Sequence, residues 1–238
     1  MGLHMGKTDT TRFDLEAKVA LMDGARGLEG LDAEALTELA GIASVVSYAK
    51  GELIFRPDES SRYFHIVAKG LVKISILAPS GLRLTYLLAK PGEPLNLVGP
   101  ITGAIRSIEG AALKDTLLLC VRKTDFNRYT LKYPVIFKNV IRILGKTVDS
   151  ANLRIIDMVE KRVEQRLVRV LNTLYVKFGP VLAFNSTELA ELTGTTTEST
   201  LRALGRLRQK GIVSSGRGQI QIEKPDDLTL ETHQQLWL

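Results

Sequence analysis

Residues 192–213 read LTGTTTESTLRALGRLRQKGIV. Thr195, Thr196, Thr197 and Ser199 put short hydroxyls around a single carboxylate, Glu198, and Arg202, Arg206 and Arg208 follow. At the start of a helix, such hydroxyls and the free backbone amides hold phosphate oxygens. A glutamate there accepts a hydrogen bond from the cytosine amino group. An arginine one turn further on grips guanine O6 and N7 with two parallel bonds, each good pairing giving about 1–3 kcal/mol of discrimination. Arg206, Arg208, Lys210 and Arg217 suit sequence-blind phosphate contacts, whose strength falls steeply with salt. On a helix used for protein contact, the same residues would only form surface ion pairs.

Charge distribution favours the polyanion. The chain of 238 residues carries a net +6, and residues 161–224 alone hold eleven Lys/Arg against five Asp/Glu. The remainder is therefore neutral, which predicts a neutral part and a basic part, the second facing nucleic acid. Cys120 is the only cysteine, so a disulfide framework, a thiolate zinc site and a four-cysteine iron–sulfur cluster are excluded. No apolar run approaches the length of a membrane helix. The N-terminus has no charged-then-apolar signal pattern, and a cytoplasmic protein is expected.

Two short helices must position the polar stretch. Asn185 and Glu188 have the spacing of a capping box. Leu189 and Leu192 face inward, Ala190 permits close approach and Gly194 makes the turn. Thr195 or Thr196 caps the second helix, with Leu201, Leu204 and Leu207 as its buried side. Ile212 and Val213 open a strand that SSGRGQ turns back into IQI, so a helix-turn-helix followed by a β-hairpin wing is expected.

The N-terminal part follows a different pattern. The first 45 or so residues read as helical, with Leu31, Ala35, Leu36, Leu39 and Ile42 on a 3.6-residue period. From Val45 to Val121, short β-branched and aromatic runs separated by glycines predict an all-β roll. KTDF starts a short helix that stops before Pro134. A long helix follows, on which Ile141, Leu144, Val148, Ala151, Ile155 and Met158 alternate at three and four residues. That is the seam two helices need to pair as a coiled coil, with Arg142, Lys146, Asp149 and Arg154 flanking it. A hinge is expected at Asp157–Glu160. The predicted class is α+β, divided into a sensing domain over 1–133, a dimerisation helix over 134–160 and a DNA-binding domain over 161–238.

At these residues the chain resembles the cyclic-AMP receptor protein/fumarate–nitrate reductase regulator (CRP/FNR) superfamily. TTTESTLRALGRLRQKGIV is similar to its recognition-helix pattern S-R-E-T-V-x-R followed by L…G.I, with Thr197 at the position of the first arginine. PGEPLNLVGPITGAIRSIEGAAL resembles its phosphate-binding cassette, on which Gly92, Glu93, Leu97, Arg106, Ser107 and the helix residue Thr147 become effector-binding candidates. The resemblance implies that Arg106 and Ser107 clamp an anion. Asn96 stands for a cassette glycine, Leu97 for the glutamate that accepts the ribose hydroxyl bond, and Val148 for a serine. These departures weaken cyclic AMP as the effector. Haem-carrying members of the superfamily make His65, Cys120 and Met158 candidate axial ligands. No nucleophile motif, Walker loop or metal-ligand cluster is present, so no enzyme is expected. The implied protein is a homodimeric transcription regulator that binds a palindromic operator, a small-molecule effector and RNA polymerase. The alternative is an effector-independent architectural DNA-binding protein with a vestigial sensor.

Overall fold

The computed structural model describes residues 7–8, 13–160, 162–216 and 218–228. In chain order the elements begin with β1 (Lys7–Thr8), α1 (Leu15–Asp23), α2 (Ala33–Ile42), β2 (Ser44–Tyr48), β3 (Leu53–Phe55), β4 (Tyr63–Lys69), β5 (Val72–Leu77) and β6 (Arg83–Ala89). Then come α3 (Val98–Thr102), β7 (Glu109–Ala112), β8 (Thr116–Arg122), α4 (Lys123–Lys132), α5 (Val135–Glu160) and α6 (Val163–Phe178). The last are β9 (Val181–Leu182), α7 (Ser186–Thr193), α8 (Thr197–Gln209), β10 (Val213–Gly216) and β11 (Gln219–Ile222). The chain divides into two compact units. One joins residues up to Ser75 with Leu88–Gly145, and the other joins Ile76–Leu87 with Lys146 onward.

In the first unit, Asp14 and Asp32 cap α1 and α2 by accepting from the amides of Ala17 and Ala35, each at 2.8 Å. The helical reading of this segment thus resolves into two capped helices. The strands β1 to β8 form two four-stranded sheets, ordered β1-β2-β8-β4 and β3-β7-β5-β6. β4 and β8 pair antiparallel and are buried almost throughout, which explains why YFHIVAK and TLLLCVR are nearly continuous apolar runs. Phe64 stacks on Phe126 of α4 with ring centroids 4.1 Å apart, and both are fully enclosed. Phe126→Ala should therefore cost about 3–5 kcal/mol, read as a fall in the urea midpoint. A loss within experimental error would show that this stack is peripheral to the core.

Ile42 departs from the predicted inner stripe. It ends α2 half-exposed and lines a cavity of the first unit.

In the second unit, α6, α7 and α8 bury Leu167, Leu171 and Leu174 against Leu189, Leu192, Leu204 and Leu207. The expected capping box forms: Asn185 accepts from the Glu188 amide at 2.9 Å, and Glu188 accepts from the Asn185 amide at 2.8 Å. Gly194 ends α7 at φ 68°. A Cβ there would meet the Met158 methyl at 2.6 Å, so the turn needs glycine for both conformation and space. Thr196 caps α8. Its buried face is Thr200, Ala203, Leu204 and Leu207, whereas Leu201 is 48% exposed. Leu201 sits about 110° around the helix from the centre of that face, by the roughly 100° step of each residue. β10 and β11 form the hairpin wing, and Arg217 lies outside the described residues.

The helix break also moves. Asp157 to Glu160 are helical, and α6 begins at Val163. The last turn of α5 is held because Asp157 is buried and ion-paired to Arg169 of α6 at 2.9 Å. Residues 76–87 pack with the second unit because Arg83 and Thr85 both donate to Glu191 on α7, at 3.5 and 3.2 Å.

Candidate nucleic-acid interface and effector cavity

The N-terminal end of α8 carries the predicted polar set. Thr196 Oγ1 accepts from the Ser199 amide at 3.2 Å and donates to Ser199 Oγ at 3.1 Å, so these two hydroxyls build the cap. Thr195 and Thr197 are half-buried beside it. Glu198 and Arg202 stand exposed one turn apart, with Arg202 donating to Glu198 Oε1 at 2.7 Å and to Ser199 Oγ at 3.2 Å. The exposed pair is weak and separates readily for other partners.

Arg206 is placed differently. It and Lys210 both pair with Glu164 of α6, and these bonds, Lys210 first, hold the Glu164 carboxyl below its ordinary range. Arg206 therefore braces α8 on α6, while Arg208 stands exposed on the same turn. No local signal marks Glu164, which a helical pattern presents as an ordinary surface acid.

Beneath this surface lies a second feature that spacing alone did not reveal. Arg154, Asp157 and Arg169 are all buried. Arg154 donates to the Leu192 carbonyl at 2.9 Å, and Arg166 donates to the Thr193 carbonyl at 3.3 Å. The end of α5 is thus tied to the last turn of α7 through its orphan carbonyls. Burial pulls the Arg154 guanidinium down to about 10, with Asp157 acting in the opposite sense. Arg154, expected as a solvated flank of the seam, is an internal strut. The seam residues themselves, Ile141, Leu144, Val148, Ala151, Ile155 and Met158, are exposed along α5, Ile141 at 70% and Ile155 at 62%.

The first unit contains a cavity of about 890 Å³. Its walls come from β2, β3, β4 and β8, together with the loop at Asp58–Ser60 and the buried Arg106. Asp58 adopts φ 65°, the sole positive φ among the described non-glycine residues, and its amide donates to the Arg106 carbonyl at 2.8 Å. His65 and Cys120 are cross-strand neighbours and both line the space. Burial, and then the Arg106 charge, push His65 down to about 3, so its imidazole is neutral. Burial pushes the Cys120 thiol up to about 12.

Of the sequence-predicted effector residues, Arg106 lines this cavity and the others do not. Glu93 is engaged elsewhere: it pairs with Arg26 at 3.2 Å and accepts from the Lys90 amide at 3.0 Å. Gly92 makes the turn, its amide donating to the Val67 carbonyl at 2.9 Å. Leu97 is buried with its methyls over Gly27. Ser107 is exposed, and Thr147 is half-buried on α5. Met158 lies on the α5 segment of the second unit.

Residues 45–133 match the family model described as cyclic nucleotide-binding domain, and residues 165–230 match the Crp-like helix-turn-helix domain. The chain belongs to the CRP/FNR superfamily. This CRP/FNR protein is 26% identical over 181 residues to the cyclic AMP receptor protein of Thermus thermophilus, covering 74% of this chain and 82% of the relative. It is 24% identical over 195 residues to the global nitrogen regulator of a Nostoc species, covering 78% and 87%. A solved CRP/FNR-family transcriptional regulator, also from Thermus thermophilus, superposes with a TM-score of 0.64 at 25% identity, over 77% of this chain and 95% of that one. Relatives and fold are those of DNA-binding transcription regulators controlled by small molecules, not of enzymes. Among the described residues, no helix is long and apolar enough to cross a membrane.

Proposed function

We propose that this CRP/FNR regulator works as a cytoplasmic homodimer on a two-fold-symmetric DNA site, with its effector bound in the β-roll cavity. The reading rests above all on the N-terminal end of α8, where Glu198 and Arg202 stand exposed on a helix fixed by the Thr196 cap. The apolar stripe Ile141–Met158 is the surface that pairs two copies of α5. In the dimer the two α8 helices enter successive major grooves about 34–36 Å apart. Thr195, Thr197, Arg208 and Arg217 then meet phosphates, Glu198 and Arg202 meet base edges, and Arg206 supports the helix from behind. RNA polymerase is the partner through which bound protein acts on transcription.

Neither effector implied by the superfamily suits the residues present. For cyclic AMP, Leu97 is turned to Gly27 and Ser107 lies outside the cavity lining, leaving Arg106 alone of the cassette. For haem, the rings of Phe55 and Tyr63 lie close to His65, with centroids 6.3 and 6.0 Å away, and crowd the approach of a macrocycle to its imidazole. An organic effector fits the walls better. An architectural protein with a vestigial sensor would bind DNA with no response to any ligand, and a cavity of about 890 Å³ around a buried arginine argues against it.

Arg202→Ala should lower operator affinity about 10- to 100-fold and relax preference at one base pair per half-site, following the roughly 1–3 kcal/mol of a bidentate arginine–guanine pair. Fluorescence anisotropy with matched and mutated operators reads both effects. Unchanged discrimination in the Arg202→Ala and Glu198→Ala variants would remove the base-reading assignment.

A further inference from the structure

Arg106 is the one strongly buried charge of the cavity, at 7% exposure. It is poorly satisfied. One guanidinium nitrogen donates to the Ser60 carbonyl at 3.1 Å, and Nε is buried with no hydrogen-bond partner. Among the described residues no carboxylate reaches ion-pair distance of it. Burial accordingly pulls its pKa below the ordinary value, against smaller opposing effects of Glu59 and Tyr48. A buried cation without a counter-charge is costly, so its persistence here marks a place for an anion.

The surroundings set the shape and charge of that anion. The guanidinium lies over the Phe55 ring, 4.4 Å from its centroid. Gly110 packs directly against the ring and fixes it in place, since a Cβ there would come 2.6 Å from Phe55 Cζ. The rings of Phe55, His65 and Tyr63 follow one another along one wall, and His65 Nδ1 is a second buried atom without a partner. At the rim the basic residues Arg62 and Arg122 are matched by Asp58, Glu59 and Asp125. The interior therefore compensates one negative charge, and a second would be buried unpaired beside those acids.

We infer that the cavity binds a flat organic monocarboxylate, aromatic or conjugated, with its carboxylate on Arg106 and its plane along the Phe55–His65–Tyr63 wall. This deepens the reading of the cavity as effector site and rests on it. A guanidinium fork and a carboxylate form two parallel charge-assisted bonds, which also relieves the unpaired Nε. The volume lies within the usual range for drug-sized ligands, about 300–1,000 Å³.

Isothermal titration of the full chain tests this with four probes: 4-hydroxycinnamate, its amide, octanoate and cyclic AMP. 4-Hydroxycinnamate should bind tightest. The amide should be weaker by about 10- to 100-fold, the worth of a charged hydrogen bond, and octanoate should also be weaker. Arg106→Gln should remove the acid's advantage over its amide, and Arg106→Lys should restore part of it. Because Arg106 lacks a counter-ion in the free protein, Arg106→Gln should melt no lower than the unmodified chain. Phe55→Leu should weaken 4-hydroxycinnamate and leave octanoate unchanged. Equal affinity for acid and amide, an acid preference that survives Arg106→Gln, cyclic AMP binding tightest, or no heat from any probe would each overturn the inference. Operator binding of the same preparations, measured with and without probe, keeps the two readings apart. Intact DNA binding with no probe binding discards the ligand class alone, and the converse discards the DNA reading alone.

Discussion

Replacing Asp157 by alanine should destabilise the protein by about 3–5 kcal/mol, the cost of leaving a buried charge without its partner. Asp157 is 4% exposed and Arg169, its ion-pair partner, 5%. Arg154 is buried beside them and held to the Leu192 carbonyl. Truncating the acid of this group strands two guanidinium groups inside the unit, which cannot shed their charge at neutral pH. Chemical denaturation gives the size of the loss. The double substitution Asp157→Leu with Arg169→Leu supplies the comparison: it removes both charges of the ion pair together and leaves Arg154 alone without its acid, so it should lose less than Asp157→Ala. A single variant as stable as the double one would show that water reaches the group and that the strut carries little.

Charge placed in the α5 stripe should have the second large effect. Val148→Glu puts a carboxylate at the middle of the Ile141–Met158 seam, against its own symmetry mate in a paired dimer. Sedimentation velocity should then show monomers at concentrations where the unmodified chain is dimeric. Operator affinity should fall by about 10²-fold or more, since a tethered second half-site raises avidity by roughly 10²–10⁴. Val148 is 56% exposed in the single chain, so folding should be unaffected and thermal melting should show it. A dimer that persisted with Val148→Glu would place the interface elsewhere.

Particular residues show where sequence reading reaches and where it stops. The order of roll, long helix and winged helix-turn-helix followed from periods of about two and 3.6 residues and from short-range cap chemistry, as Asn185 with Glu188 and Gly194 with Thr196 show. Those signals are local, and the structure realises them within a residue or two. Long-range pairing is where residue type misleads. Arg154 has the spacing of a flanking surface charge, yet it meets a carbonyl 38 residues away. Arg206 has the spacing of a phosphate contact, yet it meets a glutamate 42 residues away. Leu201 completes an apparent stripe, but a 13-residue helix buries the face centred on Ala203 and Leu204, which Thr200 joins because its hydroxyl is satisfied by the Thr196 carbonyl. In the β-roll, Arg106 was legible from its motif. The cavity around it was not, because its walls join strands from β2 to β8 that no local pattern relates.

Whether two copies of α8 read a symmetric site is tested most directly by selection from random duplex DNA with the full chain. The predicted result is an enriched inverted repeat whose half-site centres lie about 10–10.5 base pairs apart, with preference lost at the matching position in each half when Arg202 is alanine. Enrichment of no sequence, or of a single unrepeated half-site, would contradict it.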